Sequence, residues 1–114
     1  MSDHRLENQI ADEVSKGDGT VLRVAELTPF AWTRLHVFEP YTPPGVIRQE
    51  LGFAWAAAKS TGLESDEGHT LLVFVRDERV VSFVMYPRDQ GDFAGLHLVD
   101  GYKPENAVFV VRQK

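Results

Sequence analysis

Residues 70–86 constrain this chain more than any other segment. Leu71, Leu72, Val73, Phe74 and Val75 form an unbroken run of residues that favour extended backbone, closed by Arg76. After the polar pair Asp77-Glu78, residues 79–86 are again β-prone, so the spacing predicts an antiparallel hairpin of 70–76 with 79–86. A strand with one face in water alternates apolar and polar side chains. The run from Leu71 to Val75 does not alternate, so this arm of the hairpin is expected in the sheet interior with both faces covered.

Around the hairpin, three further stretches are β-prone: 21–27, 31–38 and 107–111, the last expected as the final addition to the same sheet. Thr28-Pro29 separates the first two, since proline cannot supply a ladder N–H. Leu6, Ile10 and Val14 recur every fourth residue within 3–16, which reads as a narrow amphipathic helix stopped near Gly17. A second helix is expected after Thr42 as cap with Pro43 in the first position, running through Val46, Ile47 and Leu51. Gly52 would end it, although Ile47, Leu51, Trp55 and Ala58 keep helical spacing and leave a longer helix to Lys59 open. Residues 60–68 read as a polar loop. Residues 87–105, with Gly91, Gly95, Gly101 and Pro104, read as a long irregular crossing with one helical turn at 92–96.

Helices and strands do not alternate strictly, which disfavours a doubly wound parallel sheet. The expected class is α+β: an antiparallel sheet of four to five strands with two or three helices packed on it, in a single domain 1–114 whose N-terminal helix, residues 1–17, either packs on the rest or frays at its periphery. A chain of 114 residues can bury roughly two thirds of the surface that it exposes when unfolded. With 43% hydrophobic and 25% charged residues it needs no covalent staple to hold a core.

Composition also removes classes of function. A formal net charge of −5 with twelve scattered basic residues argues against nucleic acid as a partner, because phosphate binding needs clustered Lys and Arg. The absence of cysteine removes disulfides, thiolate metal sites and thiol nucleophiles. No apolar run approaches the ~20 residues of a membrane-spanning helix, and residues 1–16 are polar and acidic, unlike a signal peptide. If Met1 is the natural start, a cytoplasmic location is expected; a signal segment removed upstream would place the chain in the cell envelope or periplasm.

Phe30, Trp32, the segment Phe38-Glu39-Pro40-Tyr41-Thr42-Pro43, Ile47, Leu51-Gly52, the 71–75 run, Val80-Val81 and Arg88 form a pattern over about half the chain. It resembles small bacterial envelope lipoproteins and is loosely similar to the BamE/SmpA outer-membrane assembly family in its helix ending at Leu51-Gly52 followed by a hairpin. The resemblance implies a non-catalytic envelope module with helices on an antiparallel sheet. It also implies a lipid-bearing cysteine, which this chain lacks.

Four residues stand out as candidate binding positions: His36, Glu39 and Tyr41, which straddle a strand end and a proline-rich turn, and Arg88, a potential anion site. The bland account is that His36 lies on a strand, Glu39 lies beside the next helix's positive end, Tyr41 packs on a proline and Arg88 pairs with Asp92 four residues on. Glu64, Asp66, Glu67 and His69 carry cation-binding groups, but their spacing matches no calcium loop, and a solvated loop accounts for them. No metal and no cofactor is expected. Ser60, Ser65 and Ser82 lack a nucleophile elbow, and the glycines form no phosphate loop. Trp32, Tyr41, Trp55, Tyr86 and Tyr102 would form a binding face if several proved exposed and adjacent.

These observations favour a non-catalytic binding or assembly module whose partner is another protein. A small enzyme or small-molecule binder centred on His36, Glu39 and Tyr41, and an acidic immunity-type inhibitor of a basic toxin, are the alternatives.

Overall fold

The structure is a computed structural model that describes residues 1–112. Its elements are α1 (His4–Val14), β1 (Val21–Arg23), the single turn α2 (Val24–Leu27), β2 (Arg34–Phe38), α3 (Pro44–Leu51), β3 (His69–Arg76), β4 (Arg79–Pro87) and β5 (Val108–Val110). Short 3-10 turns lie at Lys59–Thr61, Leu63–Ser65 and Arg88–Gln90. The class is α+β, and every strand pairing is antiparallel.

The strands divide into a three-stranded sheet, ordered β2-β3-β4, and a separate two-stranded ribbon of β1 with β5. β3 is the middle strand, as its apolar run requires. Leu72 and Phe74 face a core with Leu6 and Ile10 of α1, Leu22, Leu35, Val37, Val84 and Tyr86. Leu71, Val73 and Val75 face a second core with Phe38, Ile47, Ala58 and Leu63. A period of two sends neighbours in one strand to opposite cores, so no position from Leu71 to Val75 tolerates a polar side chain.

The hairpin closes through Asp77 and Glu78, both in the left-handed region at φ 52° and 58°. That is the geometry of a primed two-residue turn, whose twist matches the strands although neither residue is glycine. Phe74 pairs with Ser82 and Val75 with Val80, which leaves Val81 as an extra residue bulging from β4.

α1 is tied down at its start. The Asp3 carboxylate accepts the Leu6 N–H at 3.0 Å and the Ser82 hydroxyl at 3.2 Å, while the Asp3 N–H donates to the Phe83 carbonyl at 2.8 Å. An N-cap of this kind contributes about 1 kcal/mol, and burying Leu6 and Ile10 adds roughly 1.5–3 kcal/mol each. The helix is thereby part of the first core.

Several local expectations are corrected. The chain leaves the ribbon after Arg23, so 24–27 is a helical turn and not strand, with the Val24 N–H donating to the Ala107 carbonyl at 3.1 Å. β2 starts at Arg34 because Trp32 turns inward and its indole N–H donates to the Thr28 hydroxyl at 2.9 Å. α3 is capped by Pro43 with Pro44 first, one residue later than expected, and ends at Gly52 in the left-handed conformation at φ 83°. Residues 53–58 are turns, so neither a longer helix nor a strand forms there. Ile47, Leu51, Trp55 and Ala58 all pack on the second core, so their spacing marked a shared destination and not a continuous helix. No helical turn forms at 92–96, where the Leu96 N–H donates to the Phe93 carbonyl at 3.1 Å across a tight turn with Gly95 at φ 91°. The crossing's helical turn is instead the 3-10 turn at Arg88–Gln90, and β5 joins β1 in place of the main sheet.

Candidate functional site

The residues singled out from sequence do not form one constellation. His36 lies in β2 facing the second core, 6% exposed and stacked at 6.0 Å between ring centres on Phe38. Its Nδ1 is buried without a hydrogen-bond partner among the described residues. Gly101 closes over it, so near that an added Cβ would lie 2.9 Å from the Leu35 carbonyl oxygen and 3.1 Å from the His36 ring. Burial lowers the imidazole pKa below its ordinary value against the pull of Glu50 and Asp100, with Arg34 and His97 acting in the same direction as burial. This is a neutral core histidine.

Glu39 is exposed just past the strand. Tyr41 is 54% exposed, sits at φ 70°, and donates its hydroxyl to the Glu67 carboxylate at 3.0 Å. Among the described residues no hydrogen bond or ion pair joins the side chains of His36, Glu39 and Tyr41. Arg88 is occupied: its guanidinium holds both oxygens of Asp92 at 3.1 and 2.9 Å and donates to the Glu67 carbonyl at 2.9 Å. Tyr41 and Arg88 are therefore brought together around Glu67 as a structural tie between loops.

The acidic loop is also locally consumed. Asp66 accepts from the Gly68 N–H at 2.7 Å and pairs with His69 at 2.9 Å. Burial raises the Asp66 pKa, but these partners outweigh it and hold the carboxylate below its ordinary value. No group of three or more metal-ligating side chains occurs among the described residues. Sequence reasoning missed the contact at 2.6 Å between the Glu50 carboxylate of α3 and the His97 imidazole Nε2 of the long crossing, because α3 and the crossing meet only in the fold.

The five aromatic residues do not form one surface: Trp32 and Tyr86 are buried, Tyr41 stands in a polar tie, and the half-buried Trp55 and Tyr102 pack on different cores, against Phe83 and Phe109. The exposed apolar side chains that cluster by register are aliphatic. Val21 pairs with Val110, and Arg23 with Val108. All four side chains lie on the outer face of the ribbon, with Val21, Val110 and Val108 at 43%, 47% and 37% exposure. Arg112 extends the same parity beyond Val110, while Leu22 and Phe109 point inward to the first core. The outer face thus carries three valines with an arginine towards each end.

Beside this ribbon lies a cleft of about 830 Å³ between β5, the loop 88–96 and the end of α1. Its apolar lining comes from Val14, Leu22, Phe93, Leu96 and Phe109.

No family model, curated protein or solved structure matches this chain. No helix among the described residues is long and apolar enough to cross a membrane.

The valine face could not be found from an unbroken apolar segment at 107–111, which reads as buried strand. A signal was present in Val21-x-Arg23 and Val108-x-Val110-x-Arg112, where an apolar residue and an arginine share one parity.

Proposed function

We propose that this chain is a non-catalytic protein-binding module that meets its partner through the outer face of the β1–β5 ribbon. The supporting observation is the register that places Val21, Val108 and Val110 together, exposed, with Arg23 and Arg112 at the ends. Solvating a cross-strand valine pair is unfavourable, and clustered aliphatic exposure is a feature of interaction surfaces. Arginine is enriched at protein interfaces, and two of them on an otherwise acidic chain favour an acidic partner surface. That polarity fits a basic toxin poorly. The resemblance to envelope assembly lipoproteins would supply a setting in which such a module works.

The test places a photo-crosslinking amino acid at Val21, Val110 or, as control, Gln49 in the organism that makes the protein. Expected is one discrete protein adduct from the two ribbon positions and none from Gln49. Equal labelling from all three, or a turnover activity abolished by His36→Ala with the fold intact, would overturn the reading.

A further inference from the structure

Resting on that reading, we infer that the partner binds as an extended peptide strand added to the free edge of β5, with a carboxylate opposite Arg112. Val111 N–H donates to the Thr20 carbonyl at 2.8 Å, and Val24 N–H donates to the Ala107 carbonyl at 3.1 Å. Antiparallel hydrogen-bonded pairs recur every second residue, so between these two the bonded pair is Leu22 with Phe109. The N–H and C=O groups of Val108 and Val110 therefore point away from β1. Among the described residues no hydrogen bond reaches them. An open row of donors and acceptors is completed by another extended backbone, and by little else.

The side chains on either side of this edge say what that backbone carries. A third strand would set alternate side chains beside Val108, Val110 and Arg112 on the outer face. Those between would enter the cleft of about 830 Å³ over Val14, Phe93, Leu96 and Phe109. The outer set meets valines up to the position facing Arg112, and the cleft offers its apolar side chains with Ser15, Asp89 and Gln90 also on its lining. Arg112 is exposed, whereas Arg88 on the same cleft is held by Asp92 and contributes no recognition of an anion. Charge complementarity on a chain of net charge −5 therefore places one Asp or Glu in the peptide at the Arg112 end. The ligand class is an apolar, extended segment flanked by an acid.

The test selects peptides against the whole protein from a random phage-displayed library, then resynthesises the best binder with N-methyl groups on alternate amides. Methylation of the amides that pair with Val108 and Val110 is expected to weaken binding about tenfold or more, while methylation of the intervening set leaves it within about threefold. Arg112→Glu should weaken the same peptide, and exchanging its acid for lysine should restore binding to the variant. Equal effects of the two methylation sets, a failed charge exchange or a library without binders would overturn the inference. So would a dimer of this chain in sedimentation that Val110→Lys abolishes, since the edge would then belong to a second copy. If ribbon crosslinks persist while no peptide binds, edge addition fails and the binding reading stands; if both are absent, both fail.

Discussion

Replacing Tyr86 with phenylalanine isolates one hydrogen bond on which a wall of the cleft depends. Tyr86 is fully buried, its ring meets Phe93 edge-on at 5.2 Å, and its hydroxyl donates to the Gln90 carbonyl at 2.6 Å. Tyr86→Phe keeps the ring and its contact and deletes only the O–H. Gln90 is exposed, so water can take over part of its carbonyl, and the loss should be about 1 kcal/mol, within the usual 0.5–1.5 for a neutral bond. For a domain of this size that lowers Tm by about 4 °C, with an unchanged urea m-value. The pH dependence supplies a second measurement. Burial first, then the carboxylates of Glu7 and Asp89, push the Tyr86 phenol up to about 12. The unfolded chain releases that proton near pH 10 and the folded chain does not, so the stabilisation is complete below about 10 and declines as pH rises towards the folded value. The gap between wild type and Tyr86→Phe in urea midpoint should therefore narrow through that window. An unchanged Tm at neutral pH, or ionisation of all three phenols together near pH 10 in the folded protein, would refute the reasoning.

Burial lowers the His36 pKa, so its contribution to stability is complete above about pH 6.5 and declines below it until the folded form is also protonated. His36→Gln should lose less of its urea midpoint between pH 7 and 5 than wild type does, and parallel profiles would count against a buried neutral imidazole. Gly101→Ala combines φ 73° with a 2.9 Å approach to the Leu35 carbonyl, which accepts the Tyr102 N–H in the bridge that covers β2. It should cost about 2–3 kcal/mol, against about 1 for Gly95→Ala, where φ is also positive but space is open; equal losses in denaturant melts would remove the steric argument.

What could be read from the sequence was mostly local. The central hairpin was legible because Leu71 to Val75 has no polar position to give to water, and the first helix because Leu6 and Ile10 share one stripe. The split into two sheets was not legible, since nothing near residue 21 specifies pairing with residue 110; that choice is made by Leu22 and Phe109 meeting in the first core. At the candidate site the same distinction holds. His36, Glu39 and Tyr41 are neighbours along the chain, but strand alternation and the left-handed turn at Tyr41 point them to different surroundings. The ribbon face joins residues from both ends of the sequence, beyond the reach of any spacing rule. Arg88 was correctly given Asp92 as its ordinary partner, since four residues suffice to place them together.

The ribbon fastens the chain at residue 21 to the chain at residue 110, like the clasp of a belt, with the three-stranded sheet inside the loop and α1 packed on it from outside. Closing so long a loop is entropically costly, and a ladder of three register pairs, extended by the Thr20–Val111 and Val24–Ala107 hydrogen bonds, secures it. A guest strand alongside β5 would reinforce the clasp itself, so a partner that recognises this edge also tightens the whole fold, and its departure leaves the fold easier to open.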